Sequence, residues 1–227
     1  MQKDLTPLMQ NLGYTFKNIS LLENALTHSS YANESHENLS SNERLEFLGD
    51  SVLGFITANV LFSKEGGAEG ELTKLRAAVV CEKALHAYSK TLEVGKYLRL
   101  GKGEMHTGGN ERPSILADAF EAIVAAIYLD GGLEPAEKLV LRFVIPEANN
   151  QRRRQFKDYK TTLQEIIQQN PGELLDYVLT SESGPDHNKH FTVQVRLNSN
   201  VIGTGKGRSK KEAEQLAARE ALALMGY

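Results

Sequence analysis

The apolar positions in the first two thirds of the chain recur at helical spacing. "SLLENALTH" (20–28) sets Leu21, Leu22, Ala25 and Leu26 on one face, with Ser20 as the predicted N-cap. "NERLEFLGDSVLGFI" (42–56) carries Leu45, Leu48, Val52, Phe55 and Ile56 within an arc of roughly 100° on a helical wheel. "SILADAFEAIVAAIYLDGG" (114–132) is apolar at every position from Ile115 to Leu129 except Asp118 and Glu121, the pattern of a core helix. "EANNQRRRQF" (147–156) is polar and reads as a linker or fraying helix end. Beyond it the pattern changes. "KTTLQEIIQQ" is helical and "LLDYVLTSES" strand-like. "HFTVQVRLN" alternates, with Phe191, Val193, Val195 and Leu197 on one face and Thr192, Gln194, Arg196 and Asn198 on the other. "NVIGTG" predicts a third strand. "SKKEAEQLAAREALALMG" predicts a helix opened by a capping box of Ser209 and Glu212 and ended by Gly226. The α-β-β-β-α order predicts an antiparallel sheet with helices on one face. The chain therefore reads as an α+β multidomain protein: a helical domain over 1–148, a linker over 149–156 and the mixed module over 157–226.

At 227 residues the chain can hold two ordinary domains, and 41% hydrophobic with 24% charged residues is a globular composition. The first residues, "MQKDLTPLMQ", lack the continuous apolar stretch of a signal peptide. No run of ~18 consecutive apolar residues reads as a membrane span. Cys81 is the sole cysteine, which excludes an intrachain disulfide and a cysteine-built zinc site. These features together lead us to expect a cytoplasmic protein with no membrane partner. The net charge of −3 hides an asymmetry. Residues 152–227 hold 12 Lys+Arg against 9 Asp+Glu, whereas the first 151 hold 14 against 20. Such a split predicts two units with different partners.

The acids of the first helical stretches carry the candidate chemistry. Glu43, Glu46 and Asp50 share one stripe, read as lying opposite the apolar face. A solvated stripe would look the same, and Glu43 would gain from the helix dipole. Glu46 and Asp50, however, are like charges at i,i+4, with no Lys or Arg beside them on the stripe. Asp118 and Glu121 stand in an apolar helix, where an isolated carboxylate loses its hydration and no base on the same helix can pair with it. If the two stripes face each other, Glu46, Asp50, Asp118 and Glu121 meet in one pocket that requires cations. An all-oxygen ligand set suits Mg²⁺ or Mn²⁺, and the six histidines offer no zinc spacing. Carboxylate-held Mg²⁺ usually serves phosphate chemistry. Glu69, in "EGGAEGEL", reads as a possible outer member or a solvated loop acid.

In the basic half, "GTGKGRSKKEAEQ" (203–215) reads as a glycine-rich turn feeding a helix N-terminus, without P-loop spacing. Lys210 and Lys211 fall in the first helical turn, where the dipole disfavours cations, and Lys206 and Arg208 precede them. A phosphate backbone explains such a cluster; a solvated surface balanced by Glu212 and Glu214 is the plainer reading.

These residues resemble a known family. "NERLEFLGD" (42–50) matches the signature of bacterial ribonuclease III letter for letter, and "ILADAFEAIVAAIYLDGG" resembles that family's second carboxylate helix. "YKTTLQE" (159–165), "GPDHNKHF" (184–191) and "GTGKGRSKKEAEQLAA" (203–218) resemble the three RNA-contacting segments of its double-stranded RNA-binding domain. The resemblance spans nearly the whole chain in the family's order. It implies an all-helical endonuclease domain that forms a homodimer, followed by the double-stranded RNA-binding module. It implies cleavage of double-stranded RNA with Mg²⁺, for which Mn²⁺ can substitute, and no small-molecule cofactor. The products would carry 5′-phosphate and 3′-hydroxyl ends with short 3′ overhangs, in the processing of ribosomal RNA precursors and other structured transcripts, messenger and transfer RNA included. Glu46, Asp118 and Glu121 match the family's metal ligands. Asp50 matches an acid required for catalysis, so the four together are its catalytic set. Glu43 and Glu69 match acids near the cleft. His28 and Ser29 match a nuclease-domain segment that touches RNA, and Thr161, Gln164, His187, Lys210 and Lys211 match RNA-facing residues of the second domain. Segment 34–43 is longer and more polar than the family pattern.

Two other functions fit parts of the pattern. A non-catalytic double-stranded RNA-binding regulator would keep the fold, but has no use for Asp118 and Glu121 in an apolar helix. A phosphohydrolase of small nucleotides would use the acids, but has no use for the basic module.

Overall fold

The computed structural model describes residues 3–35, 39–64, 68–170, 172–185 and 189–227, the side chains of 152–158 excepted. The chain divides into two compact units, Met1–Asn149 and Asn150–Tyr227.

The first unit is helical among the described residues: α1 (Thr6–Leu12), α2 (Ile19–Ala25), α3 (Ser29–Glu34), α4 (Glu43–Lys64), α5 (Glu69–Val79), α6 (Glu82–Thr91), α7 (Lys102–His106), α8 (Pro113–Gly131) and the start of α9 (Leu133–Ile167). Its axis is α8, whose residues from Ala122 to Ile127 are all fully buried. Helices α2, α4 and α6 pack on it. Burying a side chain such as Phe120 contributes about 2–3 kcal/mol, and its ring packs with those of Tyr88 and Phe143. Helix α4 has the length and hydropathy of a membrane span, but it packs against α8 in this core.

Three local expectations change. Helix α2 is capped by Asn18, whose side chain accepts from the Ser20 N–H, so Ser20 lies inside the helix. The helix stops at Ala25 because the chain then bridges to a distant segment: Arg99 N–H donates to Leu26 O and His28 N–H to Arg99 O. On α4, Leu45, Val52 and Ile56 are buried as expected, but Phe55 is 58% exposed. The buried side runs instead through Gly49, Leu53, Ile56, Thr57 and Val60, an arc beside the acids rather than opposite them. The cause is α8, which packs along that side. Finally, residues 149–156, read as a linker or fraying helix end, have helical backbone within α9. No glycine or proline interrupts the sequence from Glu147 to Asn170, and Gln and Arg are good helix formers.

The second unit packs the last turns of α9 and α10 (Lys210–Leu224) on one face of a three-stranded antiparallel sheet, β1 (Leu175–Ser183), β2 (His190–Leu197) and β3 (Asn200–Gly207), in the order β1-β2-β3. Val193 and Val195 join Leu163, Ile167, Ala213, Ala217 and Ala221 in the core. The "GTGKG" segment is strand β3, not a turn. Gly203, Gly205 and Gly207 alternate onto the helix side. A methyl group on Gly205 would lie 2.8 Å from Leu216 C and nearer still to Ala213 O. The glycines thus admit the helix backbone. Ser209 caps α10, accepting from the Glu212 N–H at 3.2 Å, while Glu212 Oε2 accepts from the Arg208 N–H at 2.7 Å. Gly226 closes the helix with φ 85°.

Candidate functional site

Glu46 lies in the first turn of α4, and Asp118 and Glu121 lie on α8, one turn apart. The packing of the two helices brings one carboxylate oxygen from each within 4.8 Å of the others, and all three residues are partly buried. Burial raises the proton affinity of each, and neighbouring acids add to it. Glu121 is pushed up to about 8, first by burial and then by Asp50, Asp118 and Glu46. Glu46 is raised by burial and then by Asp118, Glu43 and Asp50. Asp118 is raised by burial, with nearby His28 opposing and Glu82 adding. Three crowded, partly buried carboxylates, with no lysine or arginine paired to them among the described residues, call for positive charge, and their oxygens suit a hard divalent cation.

The other expected acids stand further out. Asp50 is exposed, one turn along α4 from Glu46. Glu43 is exposed and accepts from Ser41 Oγ at 3.1 Å. Glu69 is not brought to the cluster. It opens α5, accepts from Thr73 Oγ1 at 2.9 Å, and lines a hollow with Ala58, Leu61, Phe62 and Leu72.

His28 is held at the rim. It caps α3, and its Nδ1 accepts from the Ser30 N–H (3.2 Å) and lies 2.8 Å from Ser30 Oγ. Ser30 Oγ in turn accepts from the Gly101 N–H at 2.9 Å. Ser29 is partly buried beside it. The long segment that follows is fastened at both described ends. Glu34 Oε2 accepts from the Lys102 N–H, and Asn42, buried, donates to Ala25 O.

Two contributors escaped the sequence reading. Gly49 is buried between Glu46 and Asp50 and meets the backbone of Glu121. A glycine inside a helical pattern was the available signal. Glu82, at the start of α6, acts on Asp118 across the fold, and nothing local pointed to it.

In the second unit, Thr161 and Gln164 are exposed one turn apart on α9. The Lys160 N–H donates to Gln215 Oε1 and its Nζ pairs with Glu214 at 2.7 Å, tying α9 to α10. Lys206, Arg208, Lys210 and Lys211 are exposed around the start of α10. Lys210 is partly engaged, by Glu182 at 3.3 Å and over the Phe191 ring. His187 lies outside the described residues.

Comparison with known proteins agrees with both halves. Residues 18–148 match a ribonuclease-III-like family model and 159–225 a double-stranded RNA binding motif. The chain is 50% identical to the Ribonuclease 3 of Pelotomaculum thermopropionicum over 224 residues, covering 97% of this chain and 93% of the relative. It is 48% identical to that of Oceanobacillus iheyensis over 221 residues, covering 96% and 97%. Among solved structures, the nuclease domain of ribonuclease III from Campylobacter jejuni matches with TM-score 0.59 and 43% identity, covering 63% of this chain and 98% of that one. A non-catalytic RNA-binding regulator is not favoured by these relatives. The chain therefore belongs to the ribonuclease III family and is an endoribonuclease of double-stranded RNA.

Proposed function

We propose that this enzyme hydrolyses duplex RNA with Mg²⁺ held by Glu46, Asp118 and Glu121. The observation that carries this reading is the meeting of three carboxylates on two otherwise apolar helices, within 4.8 Å of one another. Bound there, the cation supplies a water of lowered pKa and stabilises charge on the scissile phosphate. The three side chains fix its position. Asp50, at the exposed edge, orients the attacking water and takes its proton. Glu43 and Glu82 add negative potential that strengthens cation binding. His28 and Ser29 hold the RNA backbone beside the acids. Thr161, Gln164, His187, Lys210 and Lys211 grip the duplex through its phosphates and 2′-hydroxyls, with little sequence preference. The products carry 5′-phosphate and 3′-hydroxyl ends with short 3′ overhangs, and the substrates are cytoplasmic ribosomal RNA precursors and other structured transcripts.

Staggered cuts in both strands call for two sites related by a two-fold axis, so the chain acts as a homodimer. Helix α4 supports this with Phe47, Phe55 and Phe62, exposed by 80%, 58% and 78% along one side. The Campylobacter structure is described as flexible in a region involved in dimer formation of that nuclease domain. Glu69, beside Phe62 on the hollow, would then act near this shared face. Sedimentation at micromolar concentration checks the dimer, and a monomer there removes it.

Cleavage of long duplex RNA in Mg²⁺ and in EDTA tests the chemistry. We expect short duplexes with 5′-phosphates in Mg²⁺, intact RNA in EDTA, and recovery on adding Mg²⁺ or Mn²⁺. Equal cleavage in EDTA would sink the metal mechanism.

A further inference from the structure

Helix α4 contains two glycines five residues apart, in very different surroundings. A methyl group added to Gly54 meets nothing within 4 Å. One added to Gly49 would lie 3.0 Å from Glu121 Cα and closer still to the Glu121 carbonyl carbon and oxygen. These are backbone atoms of α8, so no side-chain rotation relieves the overlap. Glycine inside a helix is unfavourable relative to alanine, and at position 54 the structure offers no packing return for it. At position 49 it lets α4 ride directly on the backbone of a residue whose side chain belongs to the acid cluster. Gly49 also sits between Glu46 and Asp50 in the sequence, so this close backbone approach falls beside two of the acids.

We propose that Gly49 is the positioning residue of the metal site: it sets the spacing between Glu46 on α4 and Glu121 on α8, and that spacing selects a small divalent cation over a large one. The inference rests on the metal reading given above. Its physical basis is a comparison of lengths. Mg²⁺ demands oxygens at about 2.0–2.1 Å in near-octahedral order, whereas Ca²⁺ accepts 6–8 oxygens at about 2.3–2.6 Å. Close-packed helices cannot absorb an added methyl group in place, so alanine at 49 parts the backbones by roughly 1 Å. That exceeds the difference between the two ions' bond lengths. The carboxylates of the two helices then no longer close around Mg²⁺, while the larger ion still spans them.

The test uses the full-length chain and a readout independent of cleavage. Ions that bind only the folded state stabilise it by RT ln(1 + c/Kd) at ion concentration c, so the rise of melting temperature with ion concentration yields Kd, the half-saturating concentration. The parent, Gly49→Ala and Gly54→Ala are melted in EDTA and then titrated with Mg²⁺, Mn²⁺ and Ca²⁺. For the parent and Gly54→Ala we expect the same half-saturating concentrations. For Gly49→Ala we expect the half-saturating Mg²⁺ to rise at least about tenfold, the size of effect that misplaced metal-site supports produce. Its Ca²⁺ value should change much less, so the ratio between the ions shifts. A purely structural glycine would lower the melting temperature without moving that ratio. Duplex binding through the second unit should be unchanged. Gly49→Ala with the parent's ion preference overturns the proposal. So does a variant already unfolded in EDTA, because Gly49 would then hold the fold rather than the site. If the parent itself responds to no ion, the metal reading fails and takes this proposal with it; if only the Gly49→Ala comparison fails, the metal reading stands.

Discussion

The acids of the first unit and the cations of the second are arranged on opposite principles. Glu46, Asp118 and Glu121 are partly buried and crowded, so burial first and acidic neighbours second raise their proton affinity, and Glu121 reaches about 8. Lys206, Arg208, Lys210 and Lys211 are exposed and spread around a helix start, where water and salt screen them. The first arrangement is costly without a ligand and tight with one. The second costs little, is worth little per contact, and gains strength by number. Chemistry should therefore belong to the first unit and most of the duplex affinity to the second.

The largest expected effect breaks the first unit alone. Glu121→Gln keeps the shape and removes one charge from the cluster. Cleavage in Mg²⁺ should fall by orders of magnitude, because activation of water and stabilisation of the leaving oxygen both depend on the ion. Duplex binding should survive, and the melting temperature in EDTA should be no lower than the parent's. A strongly lowered melting temperature with near-normal cleavage would make Glu121 a structural residue.

A smaller effect belongs to the second unit. Lys210→Ala with Lys211→Ala should weaken duplex binding uniformly across RNA sequences. The salt dependence should flatten by a slope of about one per lysine. Part of the Lys210 contribution is already spent on Glu182, so Lys211→Ala alone should account for more than half of the loss. Binding measured in EDTA across several salt concentrations checks this, and unchanged affinity at every salt would remove the lysines from the RNA surface.

The smallest effect sharpens the electrostatic contrast. The Glu121 carboxyl is raised from its ordinary value near 4.5 to about 8 in the folded, metal-free protein. Below the lower value it is protonated folded and unfolded, and costs nothing. As the pH climbs toward 8 the unfolded state is already ionised while the folded state resists, so stability falls. Thermal melts in EDTA between pH 5 and 8.5 should therefore slope downward for the parent and less so for Glu121→Gln. Parallel curves would mean that neither burial nor the neighbouring acids raise the Glu121 carboxyl.

Much of the fold was readable because its signals are local. The alternation of Phe191, Val193, Val195 and Leu197 predicted β2, and the run around Asp118 and Glu121 predicted a core helix. Charge in an apolar helix is conspicuous in one dimension, so Asp118 and Glu121 stood out in the sequence as candidates. What could not be read depended on partners distant in sequence. Asn18 caps α2 and Thr27 leaves it because Arg99 offers a bridge. The glycines of β3 read as a turn from the sequence, and their place in a strand follows from the backbone of α10 packed against them. The exposed Phe55 looked like core because its period was right.

The sequence by itself determined the elements and the chemical repertoire, since helical and strand periods, caps and unpaired acids are properties of neighbours along the chain. The tertiary structure decided which side of α4 is buried. It also decided that Glu46 joins Asp118 and Glu121 while Asp50 stays at the edge and Glu69 elsewhere. A helical wheel records which residues share a face, not where another helix packs on it. At Gly49, α4 lies directly on the backbone of Glu121, and such close approach between helices depends on the shape of both surfaces at once.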